Sequence, residues 1–426
     1  MRRTGDPILD NMMVLAPVEI WRRVRPAASP AFSTGKLRKM NALIQDCARI
    51  TCKHLKAAAE EERDVDMKQF YGHYSLDMIA RCAFGTKLDS HTDATNEFVT
   101  QARSAFSSKI SLRMIIAVLF PGLMKYFRLV RRGSVFEYFK KVCQRIIADR
   151  RQNGQRQEDF LQLMMDAQDG SLASTAENSA GPESKLFGID GEGKSESTQS
   201  TKRLAEVEAM AQCVLFFIAG QETTSSTIAF AAYLLALHPD VQEKLRAEVD
   251  EFVAVHGPEP SLDAISKLKY LHCVTAETLR LYPPATRLDR SAYDDYVLGD
   301  TGIKVPKDCA VVIPVYAIHR DPEFFPEPQN FNPDRFSDEN VDAIRPYTYL
   351  PFGAGPRNCI GMRLALQAVK LCLLHSVHSV QFIPNTHTPL SSGSLRRSGQ
   401  LANQEFLLTR SRAAAAQRRL PGLRNF

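Results

Sequence analysis

The stretch Phe352-Gly353-Ala354-Gly355-Pro356-Arg357-Asn358-Cys359-Ile360-Gly361 decides the fold, and a segment with helical periodicity follows it directly. Its spaced glycines and its proline predict a tight turn whose backbone can approach a flat ligand closely. Cys359 is then expected at the N-terminus of the next helix, where free amide groups and the helix dipole stabilise a thiolate. A thiolate with no second cysteine or histidine near it in the sequence suits one axial bond to a haem iron. The alternative is a buried structural cysteine, which would be preferred outside such a frame.

A second motif pairs an acid with two bases. Glu277 and Arg280 stand three residues apart in a segment with helical periodicity, so they share one helix face and can form a charge-assisted pair. Most such pairs are exposed and contribute little to stability. Here the flanking residues are largely apolar, and Arg335 offers a third partner. We therefore predict a buried lock of Glu277, Arg280 and Arg335 with a structural role.

A third motif interrupts the longest apolar helix, which is predicted over residues 204–237. Ala219-Gly220-Gln221-Glu222-Thr223-Thr224-Ser225-Ser226 places a glycine, an acid and several hydroxyl groups in its middle. Hydroxyl side chains there can loosen the backbone hydrogen bonds of a helix. One interpretation is a notch that admits a small ligand, with Glu222 and Thr223 relaying protons. The other is an ordinary polar face turned to solvent, and the helix alone does not distinguish the two.

The remaining pattern predicts a mainly α fold with a small β portion in the C-terminal half. The segment 168–202 is rich in Ser, Gly, Glu and Thr, which is typical of a flexible surface insert, and 413–426 reads as an unstructured basic tail. Helices are predicted at 21–25, 36–62, 66–84, 96–106, 135–151, 159–166, 204–237, 240–255, 270–281 and 362–379, and strands at 296–298, 310–315 and near 406–409.

Composition excludes several classes of protein. The 54 Lys and Arg residues against 48 Asp and Glu residues leave a net charge of +6 over 426 residues. This excess is too diffuse for nucleic-acid binding, since the basic residues of 128–156 alternate with apolar ones as on amphipathic helices. Nine cysteines without CxxC pairs predict reduced thiols that mostly fill the core. No stretch has the length of a transmembrane helix or the features of a signal peptide.

Taken together, the motifs resemble the cytochrome P-450 family over about residues 15–412, in the family's order and spacing. The resemblance implies a single haem-binding domain with the P-450 fold, haem b as the cofactor and Cys359 as the axial iron ligand. It also implies a small lipophilic substrate and no nucleic acid. Thiolate electron density on the iron favours cleavage of an O–O bond.

The same resemblance assigns roles to other residues. Trp21 and Arg25 match the family's Trp-x-x-x-Arg, whose side chains bind a haem propionate; core packing of Trp21 is compatible with this. The resemblance further implies propionate contacts for Arg290 and Arg357, cofactor contact for Phe352, an acid–alcohol pair for proton delivery in Glu222 and Thr223, a proximal lock of Glu277, Arg280 and Arg335, and pocket-lining positions for Ala219, Ala285 and Thr286.

Two groups within the family match different segments. Thromboxane-A synthase, which rearranges a prostaglandin endoperoxide, resembles residues 276–285, 348–355 and 373–378, and we expect this isomerase activity. The alternative is a monooxygenase like the drug- and steroid-oxidising group of vertebrate microsomes, which residues 219–226 and 355–362 resemble. Such an enzyme needs dioxygen and an NADPH-cytochrome reductase. The intact Glu222-Thr223 departs from the isomerase, which lacks this threonine, and keeps the alternative open.

The N-terminal region departs from the family pattern. Family members begin with a membrane anchor and early strands, whereas this chain begins shortly before Trp21. We expect a chain that lacks these parts, retains haem weakly because sheet partners are unpaired, and in a longer form lies at the cytosolic face of the endoplasmic reticulum membrane. A hypothesis of another class is an inactive fragment that sequesters the reductase through basic residues such as Arg363 and Lys370.

Overall fold

The computed structural model describes residues 6–106, 135–170, 203–386, 388 and 408–411. These residues form a mainly helical structure with three small sheets, which confirms the predicted fold class. The helices are α1 (Pro7–Asn11), α2 (Val18–Ala28), α3 (Thr34–Glu60), α4 (Met67–Phe84), α5 (Glu97–Phe106), α6 (Val135–Asn153), α7 (Phe160–Asp169), α8 (Glu206–Leu237), α9 (Pro239–His256), α10 (Leu262–Ile265), α11 (Lys269–Leu281), α12 (Val315–Ile318) and α13 (Met362–Ser379). The strands are β1 (Leu288–Ser291), β2 (Tyr296–Val297), β3 (Lys304–Val305), β4 (Ala310–Ile313), β5 (Val380–Ile383) and β6 (Leu408–Ser411).

Local capping explains where helices begin and end. The side chain of Asp66 accepts a hydrogen bond from the amide of Gln69 (3.0 Å) at the start of α4. Gly85 and Gly170 end α4 and α7 with φ angles of +64° and +73°, a region that glycine adopts without a steric penalty. Because α7 runs to Asp169, residues 168 and 169 are helical, and the insert predicted at 168–202 starts two residues too early.

The folded part extends further toward the N-terminus than residue 15, where the resemblance placed its start. Asp6 caps α1, and Ile8 on this helix is buried. The helix packs against α8. Residues 171–202 and 412–426, which contain nearly all of the predicted insert and the whole predicted tail, lie outside the described residues.

The core is built around α8. This helix packs most extensively against α4 and also contacts α7, α13, α11 and α6. Its residues are apolar over most of the circumference outside the central polar stretch, as expected of a helix that is buried on most sides. The backbone stays helical through residues 219–226, so the hydroxyl groups there do not break the helix.

The sheets are antiparallel pairs of β1 with β4, β2 with β3 and β5 with β6. The strand predicted at 310–315 ends at Ile313, because Val315 already begins α12. The strand predicted near 406–409 is shifted to Leu408–Ser411, where β5 supplies the pairing partner. Strands β1 and β3 were missed from the sequence, because their charged residues leave no apolar run, and β5 was missed because it follows α13 directly.

Close contact between α4 and α8 depends on Gly220. A β-carbon built there would lie 2.8 Å from Cδ1 and 3.2 Å from Cγ1 of Ile79. Gly72 on α4 has no atom within 4 Å of the same position. We expect Gly72→Ala to raise the free energy of unfolding by about 0.5–1 kcal/mol through helix propensity. We expect Gly220→Ala to be about 1–3 kcal/mol less stable than Gly72→Ala because of overpacking.

Thermal or denaturant unfolding of the two alanine variants measures this difference. Adding Ile79→Val to Gly220→Ala removes Cδ1, the closest contact, and should recover part of the loss. Equal stability of Gly220→Ala and Gly72→Ala would show that Ile79 moves aside without strain.

Candidate functional site

The loop of residues 352–361 folds back on itself. Gly353 and Gly355 adopt φ angles of +71° and +73°, and the amide of Cys359 donates to the carbonyl oxygen of Phe352 at 2.8 Å. This turn presents the Cys359 side chain in an accessible position. Cys309 is the other exposed cysteine, while the remaining seven of the nine are buried and no cysteine is disulfide-bonded. The prediction that most cysteines fill the core is therefore confirmed.

The prediction that Cys359 lies at the first residue of a helix was wrong. Helix α13 begins at Met362, three residues after the cysteine. Protein atoms surround the thiol although the residue as a whole is exposed, and this desolvation raises the pKa of Cys359. The amide of Gly361 and the positive charge of Arg25 lower this pKa, but less strongly. Desolvation thus disfavours the thiolate, and a bound metal ion would act in the opposite direction.

Three arginines, one each from a helix, a strand and the loop itself, border the same turn. The guanidinium group of Arg25 on α2 donates to the backbone oxygen (2.9 Å) and the side-chain oxygen (2.6 Å) of Asn358. The guanidinium carbon of Arg357 lies 4.4 Å from the centroid of the Trp21 ring, a cation–π contact. Burial lowers the pKa of Arg357, and the nearby positive charge of Arg290 on β1 lowers it further. The structure therefore brings together Trp21, Arg25, Arg290 and Arg357.

The middle of α8 carries a small exposed patch. Ala219 and Thr223 are exposed and lie one turn apart, whereas Thr224 and Ser225 are buried. The hydroxyl of Thr223 donates to the carbonyl oxygen of Ala219 at 2.7 Å. An exposed patch within a central core helix fits the notch interpretation better than a face along the outside of the molecule.

Glu222 turns toward another helix. Its carboxylate oxygen Oε1 lies 2.7 Å from Nζ of Lys68 on α4. Within the described chain no hydrogen bond joins the carboxylate of Glu222 to the hydroxyl of Thr223. The sequence placed these two residues side by side but gave no sign of Lys68, which is 154 positions away.

The structure brings together the acid and the two bases of the predicted lock. Nε and Nη2 of Arg280 donate to Oε2 (2.7 Å) and Oε1 (2.8 Å) of Glu277, and both side chains are 0% exposed. Nε of Arg335 lies 3.4 Å from Oε1 of Glu277. The remaining donors of Arg280 bind backbone oxygens of His319, Pro328 and Asn330.

His319 connects this lock to Leu350, which lies just before the loop of residues 352–361. His319 was missed from the sequence because a lone histidine has no diagnostic spacing. Its Nε2 accepts the amide of Leu350 at 2.8 Å, so the ring proton is assigned to Nδ1, which lies 3.2 Å from the carbonyl oxygen of Arg280. Burial lowers the pKa of His319 to about 3, and the charges of Arg280 and Arg320 contribute in the same direction.

A pH dependence of stability follows from His319. Unfolding exposes the ring of His319, which then takes up a proton below about pH 6.5. In the folded chain the same ring stays unprotonated down to about pH 3. The contribution of His319 to the free energy of unfolding is thus present above pH 6.5 and is lost as pH falls toward 3. We expect His319→Gln to take up about one proton fewer on unfolding in this window. Denaturant midpoints measured from pH 4 to pH 7 test this; a uniform drop at every pH would contradict it.

The remaining predicted residues are more loosely placed. Ala285 and Thr286 are exposed in the segment between α11 and β1, where the carbonyl oxygen of Thr286 accepts the amide of Tyr316 at 2.9 Å. Phe352 packs against a small apolar cluster that includes Tyr349. Lys370 is 3% exposed, so it cannot form part of a surface for a reductase, and that prediction was wrong. Arg363 is partly buried, with Nη1 3.4 Å from the hydroxyl of Thr34.

The residues present fit a haem group. Cys359 supplies an accessible sulfur ligand, and the arginines around it supply donors for two carboxylates. The mutual repulsion of Arg290 and Arg357 would be relieved by anions between them. A β-carbon on Gly355 would meet no atom within 4 Å, so this side of the loop is open to a flat ring.

Two negative results concern only the residues described. None of the helices in these ranges has the length and apolar character needed to cross a membrane. The same part of the chain contains no group of three or more His, Cys, Asp or Glu side chains arranged to hold a metal ion. A single axial thiolate ligand is compatible with the second finding.

Comparison with known proteins places the chain in a family. The profile of the cytochrome P-450 family matches residues 3–401. Cytochrome P-450 3A14 of Cavia porcellus is 36% identical over 404 residues, covering 92% of this chain and 75% of the relative. Cytochrome P-450 3A41 of Mus musculus is 38% identical over 403 residues (92% and 74%), and cytochrome P-450 3A9 of Rattus norvegicus is 36% identical over 417 residues (96% and 77%). With its cysteine loop, arginine cluster and buried lock in place, the chain belongs to the cytochrome P-450 family of haem-thiolate enzymes.

Proposed function

We propose that the chain is a monooxygenase of small lipophilic substrates, which uses dioxygen and electrons from an NADPH-cytochrome reductase. This was the alternative to the isomerase expected from the sequence, and the similarity to cytochromes P-450 of the 3A group favours it. The observation that carries it is the intact pair of Glu222 and Thr223, with an accessible hydroxyl on an otherwise buried helix. An isomerase that cleaves an existing O–O bond has no need of proton delivery.

In this proposal the arginine cluster holds the cofactor. Arg25, Arg290 and Arg357 would bind the two propionates, and the ring of Trp21 would support Arg357 through their cation–π contact. Because Arg25 also binds Asn358, next to the cysteine, cofactor binding and loop position are coupled. When bound, the haem supplies the redox chemistry, in which the thiolate of Cys359 promotes O–O cleavage.

The remaining residues of the site line the substrate pocket and transfer protons. Ala219, Ala285 and Thr286 line the substrate side, where small side chains leave room for a lipophilic molecule. Glu222 is about one third exposed, so it can exchange protons with solvent, and the hydroxyl of Thr223 passes them toward the pocket. We place the enzyme at the cytosolic face of the endoplasmic reticulum membrane.

The test compares the two reactions in one preparation. The haem-loaded chain is given a steroid, a reductase and NADPH, and we expect hydroxylated product. Thr223→Ala should lower the product formed per NADPH by at least about 100-fold, the low side of what general acid–base groups contribute. Thr227→Ala is the matched control, because Thr227 makes the same type of bond to the carbonyl oxygen of Thr223 (2.9 Å) but is buried.

The thromboxane-synthase hypothesis is the second candidate, and the segments at 276–285, 348–355 and 373–378 favour it. The contrary result in the same preparation is a chain that converts a prostaglandin endoperoxide without NADPH and forms no steroid product. That result would make the isomerase the first candidate function and the monooxygenase the second. A folded chain that binds no haem would support the inactive-fragment hypothesis.

A further inference from the structure

Lys68 reaches from α4 to the polar stretch of α8. Its Nζ lies 2.7 Å from Oε1 of Glu222, 2.9 Å from the hydroxyl oxygen of Ser225 and 2.7 Å from that of Ser226. The backbone oxygen of Glu222 is 3.3 Å from the same nitrogen. An ammonium group has three donors, and here all three have acceptors on one turn of α8.

This ion pair differs from an exposed surface pair. The side chain of Lys68 is 15% exposed and that of Glu222 36%. Burial lowers the pKa of Lys68, while Glu222, and more weakly Asp66 at the start of α4, act in the opposite direction. A lysine that gives up this much hydration requires a counter-charge in a fixed place.

The surrounding bonds fix the geometry further. The hydroxyls of Ser225 and Ser226 each donate to the backbone oxygen of Glu222, at 3.1 and 2.8 Å, so their lone pairs are left to receive Lys68. The close contact of Gly220 with Ile79 holds α4 against α8 two residues before Glu222. Two hydroxyl groups therefore hold the ammonium group of Lys68 in addition to the carboxylate of Glu222.

The direction of the carboxylate matters for Thr223. Neighbouring residues of a helix point about 100° apart, so Glu222 and Thr223 lie on different faces of α8. A Glu222 side chain that was free to rotate would sample several orientations. When its carboxylate is bound to Lys68, the side chain keeps one of these orientations.

We propose that Lys68 is a positioning residue that holds the Glu222 carboxylate in a single orientation on the α4 side of α8, from which protons pass to the hydroxyl of Thr223 through an intervening water and not by a direct hydrogen bond. The proposal rests on the proposed monooxygenase function for its catalytic consequence. The geometric part stands on the contacts of Lys68 alone.

The first experiment needs no turnover. The chain is labelled with ¹³C-carboxyl glutamate, and the infrared band of Glu222 is assigned by its loss in Glu222→Gln. We expect Lys68→Met to shift and broaden this band and Lys68→Arg to restore it. Lys269→Met, which removes an exposed lysine paired with Asp338, is the control and should leave the band unchanged. An unmoved band in Lys68→Met would overturn the proposal.

The second experiment measures product formed per NADPH in the haem-loaded enzyme. We expect Lys68→Met to lower it by about tenfold to 100-fold, since small misplacements of a reacting group cost that much. Lys68→Arg should recover most of it, and Lys68→Met should have no further effect in the Glu222→Gln background. An equal effect of Lys68→Met in both backgrounds, or a rise in product, would contradict a positioning role.

The two experiments separate the possible failures. If the wild-type enzyme forms no product, the monooxygenase function fails, and the infrared band still decides whether Lys68 holds Glu222. If Lys68→Met does not fold, Ser226→Ala removes one acceptor of the same lysine and should shift the band in the same direction; an unmoved band there would overturn the proposal.

Discussion

Cys359→Ala is expected to remove the thiolate-type absorption spectrum of the reduced carbon-monoxide complex and to reduce product to the level of protein-free haem. The physical reason is that this side chain is the accessible sulfur of the loop at 352–361. Without it the iron has no thiolate to donate electron density for O–O cleavage. Spectra of the purified variant after haem loading, together with the activity assay, measure the effect.

Cys309→Ala provides the matched control. Cys309 is also exposed, but it lies directly before β4 and away from the glycine turn. We expect this variant to keep the spectrum and the activity. Retention of the thiolate spectrum in Cys359→Ala would mean that another cysteine binds the iron.

Glu277→Gln is expected to lower the free energy of unfolding by about 3–5 kcal/mol, because it leaves the buried charge of Arg280 without a counter-ion. The loss should extend to Arg335 and to the amide of Asn332, which donates to Oε1 of Glu277 at 3.0 Å. Arg280→Lys should cost nearly as much, since a lysine cannot reproduce the planar set of donors that Arg280 directs at five acceptors. Thermal unfolding and the yield of folded protein report both effects.

The exposed pair of Lys269 and Asp338 is the control for burial. Their side chains are 75% and 69% exposed, and we expect Asp338→Asn to change the free energy of unfolding by no more than about 1 kcal/mol. If Glu277→Gln were as mild as Asp338→Asn, the lock would be a weak contributor to stability in spite of its burial.

Much of the helical fold was predictable because its signals are local. The periodicity at 362–379 matches α13 to the residue, and Pro239 opens α9 as expected for proline in a first turn. Glu277 and Arg280 are also a local pair, three residues apart on one helix. The short strands were harder, because β5 follows α13 without a break and only its partner β6 shows it to be a strand.

The residues of the candidate site that belong to family motifs could be predicted from the sequence. Contacts between residues that are distant in the sequence could not. From its motifs the sequence predicted roles for Cys359, Trp21 and Arg25, and the structure brings these residues to one loop. It gave no indication that Lys68 reaches Glu222 or that His319 receives the amide of Leu350. Such contacts depend on how α4, α8 and the loops pack, and no spacing rule within one segment encodes them.

The desolvation of Cys359 has a consequence for its reactivity toward oxidants. Oxidants attack the thiolate form of cysteine, and the first product, a sulfenic acid, leads on to irreversible oxidation. Because desolvation raises the pKa of Cys359, it disfavours the thiolate form of this exposed residue. The same desolvation should therefore slow oxidation of the sulfur relative to an exposed cysteine of ordinary pKa.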